Sequence, residues 1–214
     1  MEMTKYGHSC VRLEKDGAAL VIDPGGFSDA ATALRDADAL LITHEHQDHI
    51  DNDAVRAAAA ANRELRIWAP ETVATSLADL GERVSVAAGD TQFQAAGFDV
   101  QTFGGQHALI HPLIPVVANV CYLVEGSVYH PGDSFIVPTQ PVTTLLAPIH
   151  APWSKVAEVI DFVTAVRAPT VHQIHDGLLN PAGLGLVESL VTGLGARTGS
   201  QYRHLDDDAR FTVA

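Results

Sequence analysis

The chain begins with alternating apolar and polar positions, the pattern of half-buried β-strands. Val11 and Leu13 lie on one face of a predicted strand, and a second apolar run spans 18–22. The dipeptide Asp16-Gly17 between these runs is typical of a hairpin turn. Residues 1–25 are therefore predicted to form a β-meander.

Helical and extended patterns then alternate to the end of the chain. Helices show apolar residues three or four positions apart, and strands are short apolar runs bounded by turn residues. The predicted strands are 38–43, 65–69, 84–88, 91–95, 98–103, 119–124, 128–130, 145–149 and 169–174, with a final hairpin of 202–205 and 209–213 around a solvated turn at 206–208. The predicted helices are 28–35 (capped by Ser28 or Asp29), 53–61 (capped by Asp51, Asn52 or Asp53), 70–80, the segment from Ser154 as cap to Val166, and a last helix with Asn180 as cap and Pro181 at its first position.

Composition narrows the class of protein. The 214 residues are 47% hydrophobic and 18% charged, which allows a substantial core. A formal net charge of −13 argues against a general nucleic-acid-binding surface. We see no secretion signal and no apolar run long enough to span a membrane, so we expect a cytoplasmic protein without membrane or nucleic-acid partners. Cys10 and Cys121 lie in apolar runs and are predicted to be buried free thiols, with a disulfide as the alternative.

The most informative stretch is Thr43-His44-Glu45-His46-Gln47-Asp48-His49, which directly follows the apolar run 37–42. His44 and His46 are two residues apart and point the same way in extended backbone. Asp48 and His49 come after the chain has begun to turn, so they can point to a second position nearby. This one loop can therefore contribute ligands to two metal ions. The alternative is a solvated turn that happens to be rich in histidine.

The spacing His44-x-His46-x-Asp48-His49 resembles the signature of the metallo-β-lactamase superfamily of metal-dependent hydrolases. Four further segments match in the same order, namely 104–107, 132–134, 151–153 and 175–177. The segment Gly7-His8-Ser9 makes the chain most similar to a short branch that includes the ascorbate-6-phosphate lactonase-like proteins. The resemblance implies an α/β fold, a four-layer αββα sandwich of two mixed sheets with helices outside, formed by residues 1–214 as a single metallo-hydrolase domain.

The resemblance also implies two divalent metal ions, with zinc or manganese expected and iron as a further candidate. The implied ligands are His44, His46 and His107 for the first metal, Asp48, His49 and His175 for the second, and Asp133 as a bridge. His175 is preferred to His172 because the family's ligand lies past the end of its strand. Asp23 is implied as an outer residue that braces the histidine loop, and His8 and Trp153 are placed near the pocket. The residues alone leave open a turn role for Asp23 and core packing for His8 and Trp153.

The implied activity is hydrolysis of an ester, lactone or phosphoester bond in a small molecule. Water between two divalent cations loses a proton near neutral pH, and Asp48 would bind metal and orient this metal-bound hydroxide. The alternatives on the same scaffold are a non-catalytic or redox dimetal-binding protein and an RNA-processing nuclease, although the chain lacks the extra domain and basic surface of such nucleases. The apolar segment 108–117 predicts a pocket wall or a homo-oligomer contact.

Overall fold

A computed structural model describes residues 1–213 and contains two β-sheets with helices. The strands are β1 (Glu2–Lys5), β2 (Val11–Lys15), β3 (Ala18–Ile22), β4 (Ala39–Leu41), β5 (Arg66–Ala69), β6 (Val84–Val86), β7 (Gln92–Ala95), β8 (Phe98–Gly104), β9 (Val120–Val124), β10 (Val128–His130), β11 (Thr144–Pro148), β12 (Thr170–Ile174), β13 (Gln201–Tyr202) and β14 (Arg210–Thr212). The α-helices are α1 (Ala30–Ala33), α2 (Asn52–Ala61), α3 (Glu71–Ser76), α4 (Val156–Val166) and α5 (Pro181–Gly195), and two short 3₁₀ helices span Ala78–Arg83 and Ala196–Thr198.

The two seven-stranded sheets share one internal plan. The first has the order β14-β1-β2-β3-β4-β5-β6 and the second the order β13-β12-β11-β10-β9-β8-β7. In each sheet an antiparallel meander (β1 to β3, β7 to β10) continues into parallel strands (β4 to β6, β11 to β13). The turn between β2 and β3 has positive φ at Asp16 and Gly17, as a type I′ turn requires. The predicted N-terminal meander is therefore confirmed.

Side-chain alternation along the strands forms the layers. Leu20 and Ile22 of β3 pack between the two sheets, whereas Val21 packs on the opposite face against residues of the helices, including Val55. On the outer face of the second sheet, Leu145 and other strand residues pack against α4 and α5. Three buried clusters thus separate four layers, and the predicted αββα sandwich of mixed sheets is confirmed.

The C-terminal residues differ from the prediction of a hairpin. β13 pairs in parallel with β12 in the second sheet, whereas β14 pairs antiparallel with β1 in the first. The prediction was wrong because the turn residues 206–208 carry the chain from one sheet to the other. This turn is also anchored, since Asp207 forms an ion pair with the buried Lys5 at 2.7 Å.

Several helix ends also differ. α4 begins with Lys155 as its N-cap, and the predicted cap Ser154 instead bonds the backbone of Ala151. The Glu158 side chain accepts the Lys155 N–H at 2.8 Å, which stabilises this start. α3 is shorter than predicted, because the chain continues after Ser76 as a 3₁₀ segment with a non-helical break at Gly81.

The remaining expectations on caps and cysteines agree with the structure. Asp51 caps α2 by accepting two backbone N–H groups, and Asn180 caps α5 ahead of Pro181. Cys10 and Cys121 are buried free thiols, as predicted. Within residues 1–213, no helix combines the length and the hydropathy that a membrane span needs.

Candidate metal centre

Loops at the ends of strands bring eight titratable side chains together. The histidine loop follows β4, and single residues come from the connections after β1, β8, β10 and β12. They form two groups whose potential ligand atoms lie within 4.8 Å of one another in each group. The first group is His44, His46, His107 and Asp133, and the second is His8, Asp48, His49 and His175. The structure thus brings together all seven predicted ligands, with His8 as an eighth member.

In the first group, ring nitrogens and one carboxylate face a common point. His44 Nε2 lies 3.1 Å from His46 Nδ1. Asp133 Oδ2 lies 3.2 Å from His107 Nε2 and 4.0 Å from His44 Nε2. His44 is fully buried and His46 is half-buried, so the group opens towards solvent on the side of His46.

In the second group, three ring nitrogens surround one oxygen of Asp48. Asp48 Oδ2 lies 3.3 Å from His8 Nε2, 3.5 Å from His175 Nε2 and 4.0 Å from His49 Nε2. The Asp48 side chain is 19% exposed, whereas the side chains of these histidines are at most 2% exposed. Asp48 is therefore the member of this group that a molecule from solvent would meet first.

Asp133 lies between the two groups. Its Oδ1 is 3.0 Å from His49 Nε2, and its Oδ2 is 3.2 Å from His175 Nε2 in addition to its contacts with the first group. The Trp153 indole Nε1–H donates to the same Oδ2 at 2.8 Å. A carboxylate with two oxygens in this position can serve two cations at once. The Trp153 ring also lies against the His107 and Phe135 rings, so Trp153 belongs to the wall of the site.

Asp23 orients histidines of both groups from the outside. Its buried carboxylate accepts the Thr43 N–H at 2.7 Å, the Thr43 Oγ1–H at 2.6 Å and the His49 Nδ1–H at 2.6 Å. Because Thr43 donates its hydroxyl hydrogen to Asp23, its oxygen accepts from His44 Nδ1 at 3.0 Å. Gly25 lets this loop approach the histidine loop, since a Cβ there would lie 1.8 Å from the Asp48 carbonyl oxygen.

These outer hydrogen bonds determine which ring nitrogen points into the site. His107 Nδ1 faces the Ala108 carbonyl oxygen, and His175 Nδ1 faces the His150 carbonyl oxygen at 2.7 Å. A neutral imidazole whose Nδ1–H is donated in this way carries a lone pair on Nε2. Four buried inward atoms then have no hydrogen-bond partner, namely Nε2 of His49, His107 and His175 and Oδ1 of Asp133.

Unpartnered lone pairs facing each other at this distance repel, unless a proton or a metal cation lies between them. Neutral imidazole and carboxylate are the ligands that zinc, manganese and iron accept in proteins. The donor set and its orientation therefore fit a pair of divalent metal ions.

The two groups differ in their affinity for protons. Burial lowers the pKa of His44 and of His46, which keeps these rings neutral. Burial also lowers the pKa of His49, but Asp133 and Asp23 outweigh it and raise this pKa well above the usual range. For His175, burial is outweighed by Asp133 and Asp48, and the pKa rises to about 9. The carboxylates of the second group thus favour a positive charge at this position.

The carboxylates themselves stay ionised. Burial raises the pKa of Asp133, but the neighbouring His49, His107 and His175 hold it well below its usual value. Burial likewise opposes ionisation of Asp48, and the neighbouring His175 and His8 again lower its pKa. Both groups therefore offer a charged oxygen ligand near neutral pH.

Comparison with known proteins identifies the family. A model of the β-lactamase superfamily domain matches residues 2–175, which include all eight residues of the two groups. The chain belongs to the metallo-β-lactamase superfamily. Protein Rv0786c of Mycobacterium tuberculosis is 34% identical over 217 residues, covering 99% of this chain and 100% of that protein.

More distant members of the superfamily agree with this assignment. A metal-dependent hydrolase of Lysinibacillus sphaericus is 29% identical over 146 residues, which is 63% of each chain. The solved metallo-β-lactamase fold protein YhfI of Bacillus subtilis superposes with a TM-score of 0.75 at 15% identity over 98% of each chain, a likeness of fold. The superfamily and fold predicted from the sequence are confirmed, and with them the class of metal-dependent hydrolase.

The other histidines lie outside the two groups. His172 is buried but donates from Nδ1 to the Arg203 carbonyl oxygen at 2.7 Å, away from the site. His111 is exposed on the surface, and His130 is buried with its Nε2 2.9 Å from the Ser9 carbonyl oxygen. Sequence reasoning missed the outer partners Thr43, His150 and Ala108, because two of them contribute backbone oxygens that carry no residue-specific signal.

Proposed function

We propose that this chain is a hydrolase that holds two divalent metal ions, zinc or manganese, and cleaves a carboxylic ester or lactone bond in a small uncharged molecule. In this proposal His44, His46 and His107 hold the first metal, and Asp48, His49 and His175 hold the second. Asp133 would bridge the two. The observation that carries the proposal is the set of buried, unpartnered lone pairs that converge on Asp133.

Two bound cations would polarise the scissile carbonyl group and lower the pKa of water near them. The chain's own residues supply the rest. Asp48 is ionised and is the most solvent-accessible member of the second group, so its carboxylate can accept a hydrogen bond from incoming water and orient it. The Trp153 indole N–H holds one oxygen of Asp133 in place and excludes water from that side.

The segment 108–117, called here the apolar flap, supports an uncharged substrate. It contains no charged residue, and Leu113 is 86% exposed. Both ends of the flap are tied to the site, because the His107 N–H donates to the Val117 carbonyl oxygen at 3.0 Å and the Ala108 N–H to the Asp133 carbonyl oxygen at 2.8 Å. An exposed apolar segment this close to a catalytic centre favours contact with apolar groups of a substrate.

A second exposed apolar residue lies beside the second group. The Phe27 side chain is nearly half exposed, and its ring centroid is 5.3 Å from that of His8. Leu178, which follows the His175 loop, is also exposed. Apolar side chains on three different loops that carry or contact site residues therefore support a substrate with alkyl or aryl groups.

The resemblance to ascorbate-6-phosphate lactonase-like proteins suggests a phosphorylated sugar lactone, and the lactone is the part of that substrate that we retain. A phosphate group needs a nearby cation, and none of the candidates Arg12, Lys155 and Arg203 forms an ion pair with a residue of the two groups. Arg12 bonds two backbone carbonyl oxygens of the segment 33–35, Lys155 lies 3.9 Å from Glu158, and Arg203 bonds Gln201.

The test is a metal-dependent activity screen with matched substrates. The protein is stripped with a chelator, reloaded with Zn²⁺ or Mn²⁺ and assayed on 4-nitrophenyl butyrate, a γ-alkyl lactone and bis(4-nitrophenyl) phosphate. We expect hydrolysis of the ester or lactone that the chelator abolishes and metal restores. Turnover in the stripped protein would contradict the proposal, as would a visible iron signal with redox activity and no hydrolysis.

The substrate class has its own control. Leu113→Lys places a charge on the apolar flap, and Val86→Lys does the same at an exposed apolar residue of β6. We expect Leu113→Lys to raise KM for the alkyl lactone by about tenfold, because the loss of one hydrophobic contact costs about 1–3 kcal/mol, or tenfold and more in affinity. We expect Val86→Lys to leave KM unchanged. Equal KM values in the two variants would show that the flap does not bind the substrate.

A further inference from the structure

His8 lies against the second group in a constrained position. It follows Gly7 in the turn between β1 and β2, has a positive φ of 47° and is 1% exposed. Its ring is tilted against the His175 ring with the centroids 4.1 Å apart. Its Nε2 is as close to Asp48 as that of any other histidine, so by distance alone His8 could be a fourth ligand of the second metal.

The second ring nitrogen argues against that role. The Gly177 N–H donates to His8 Nδ1 at 3.1 Å. A nitrogen that accepts from a backbone amide has no proton of its own, so the hydrogen of the His8 ring resides on Nε2. His8 Nε2 is therefore a donor, and the acceptor in front of it is Asp48 Oδ2 at 3.3 Å.

The histidines proposed as Nε2 ligands have the opposite arrangement. Nδ1 of His44, His49, His107 and His175 faces an oxygen acceptor, so each Nε2 offers a lone pair. His46 instead directs Nδ1 into the site, and among these residues only His8 has Nδ1 bonded to an amide N–H.

The backbone around His8 holds this arrangement. The His175 N–H donates to the His8 carbonyl oxygen at 3.1 Å, so the loop after β12 contacts both the backbone and the ring of His8. A Cβ at Gly177 would lie 3.0 Å from His8 Nδ1, so a side chain there would press against the His8 ring. The two loops therefore fix the ring so that its Nε2–H points to Asp48.

We propose that His8 is a positioning residue, not a metal ligand: its Nε2–H, fixed by the Gly177 amide, holds Asp48 Oδ2 in the orientation that the second metal needs. This inference rests on the dimetal hydrolase proposed above. Partners of this kind tune affinity, and their loss costs about 10- to 100-fold in metal binding.

The direct test is the protonation state of the His8 ring in the zinc-loaded protein, measured by long-range ¹H–¹⁵N NMR with His8→Gln to assign the signal. We expect a proton on Nε2 and no metal on either nitrogen of His8, whereas His175 carries its proton on Nδ1. A metal-bound Nε2 at His8 would overturn the proposal.

Zinc content and affinity provide a second test. We expect His8→Phe to keep two zinc ions per chain but to bind the weaker one about 10- to 100-fold less tightly. In His8→Gln the amide N–H can donate to Asp48 in place of the ring N–H. We therefore expect its zinc affinity to stay within about threefold of the wild type, a much smaller loss than in His8→Phe. His172→Phe is the matched control at a buried histidine outside the site, and its affinity should equal that of the wild type.

The outcomes separate the two proposals. Loss of one zinc ion in both His8 variants identifies a ligand and overturns the positioning role while the dimetal site stands. Equal weakening in His8→Phe and His8→Gln identifies a packing role and also overturns it. If wild-type protein binds no zinc or manganese, the proposed function fails, and the ring proton of His8 still reports whether the Gly177 amide fixes the tautomer.

Discussion

The two groups of the candidate metal centre share Asp133 but are held by the backbone in different ways. In the first group, His44 and His46 come from one loop after β4, and none of its four residues has a positive φ. In the second group, His8 and His175 are both in the left-handed region, as is Asp23, which braces His49. Such conformations cost on the order of 1–3 kcal/mol each and persist where the surrounding structure enforces them. Each group takes two members from the histidine loop, but the second also depends on residues whose backbone conformation the surrounding fold must enforce.

The groups also differ in charge. In the first, burial lowers the pKa values of His44 and His46, whereas in the second nearby carboxylates raise the pKa values of His49 and His175. A site that attracts protons without metal also attracts a cation, so proton release should accompany metal binding at the second group. Shared geometry with different electrostatics means that single substitutions can distinguish the groups.

The largest effect is expected from the residue that the groups share. Asp133→Ala removes the carboxylate between His49 and His107 and leaves their Nε2 atoms facing each other without a charge. We expect the metal content to fall from two ions per chain to none. Hydrolysis should fall by more than about 100-fold, because loss of a residue that only orients a metal ligand already costs up to about 100-fold. Elemental analysis and the ester assay measure both. Asp161→Ala, at an exposed carboxylate of α4, is the control and should keep both metal ions. Full metal retention in Asp133→Ala would show that Asp133 is not part of the site.

Substitutions within one group should divide the pair of metals. His46→Ala removes a ligand of the first group, and His175→Ala removes one of the second. We expect each variant to retain one metal ion per chain, because Asp133 and the other group remain. Elemental analysis combined with the NMR signals of the remaining histidines shows which metal is lost. Loss of both ions from either variant would mean that the groups bind metal as one unit.

The sequence predicted most of this centre because its ligands occupy fixed places relative to strands. His107, Asp133 and His175 each follow a strand that the apolar pattern indicates, and the histidine loop has its own spacing. These features depend on local sequence, and local patterns are the most reliable part of a prediction. The four layers followed from the resemblance to the superfamily.

Features that depend on contacts between distant residues could not be predicted. The Gly177 amide reaches His8 across 169 residues, and nothing near Gly7 indicates it. The segment 206–208 has the composition of a hairpin turn, yet β13 and β14 join different sheets because their partners are β12 and β1. Pairing of this kind is decided by the packed sandwich, not by the turn.

A smaller effect is expected from the residue that braces both groups. Asp23→Asn replaces an acceptor of three hydrogen bonds with an amide that can accept at only one atom, so His49 and Thr43 lose part of their orientation. We expect the affinity for both metals to fall by about 10- to 100-fold with the content at saturation unchanged. Thr43→Val sharpens the comparison, because it removes the oxygen that orients His44 and leaves the Asp23–His49 bond in place. An equal loss at both metals in Thr43→Val would show that the two groups are not oriented separately.

The smallest effect concerns His172, which lies in β12 three residues before His175 but outside both groups. Burial lowers its pKa, while its bond to the Arg203 carbonyl oxygen opposes that shift. A histidine whose pKa is depressed in the folded state contributes stability above its unfolded pKa of about 6.5, and this contribution is lost as the pH falls below that value.

His172→Asn keeps a donor near the Arg203 carbonyl oxygen but cannot titrate. The advantage of the wild type over His172→Asn in free energy of unfolding should therefore shrink by up to about 1.4 kcal/mol per pH unit between about pH 6.5 and pH 5.5. The other histidines are common to both proteins and cancel in this difference, which urea unfolding at each pH measures. A constant gap for His172→Asn would show that this ring takes up a proton as readily in the folded protein as in the unfolded chain.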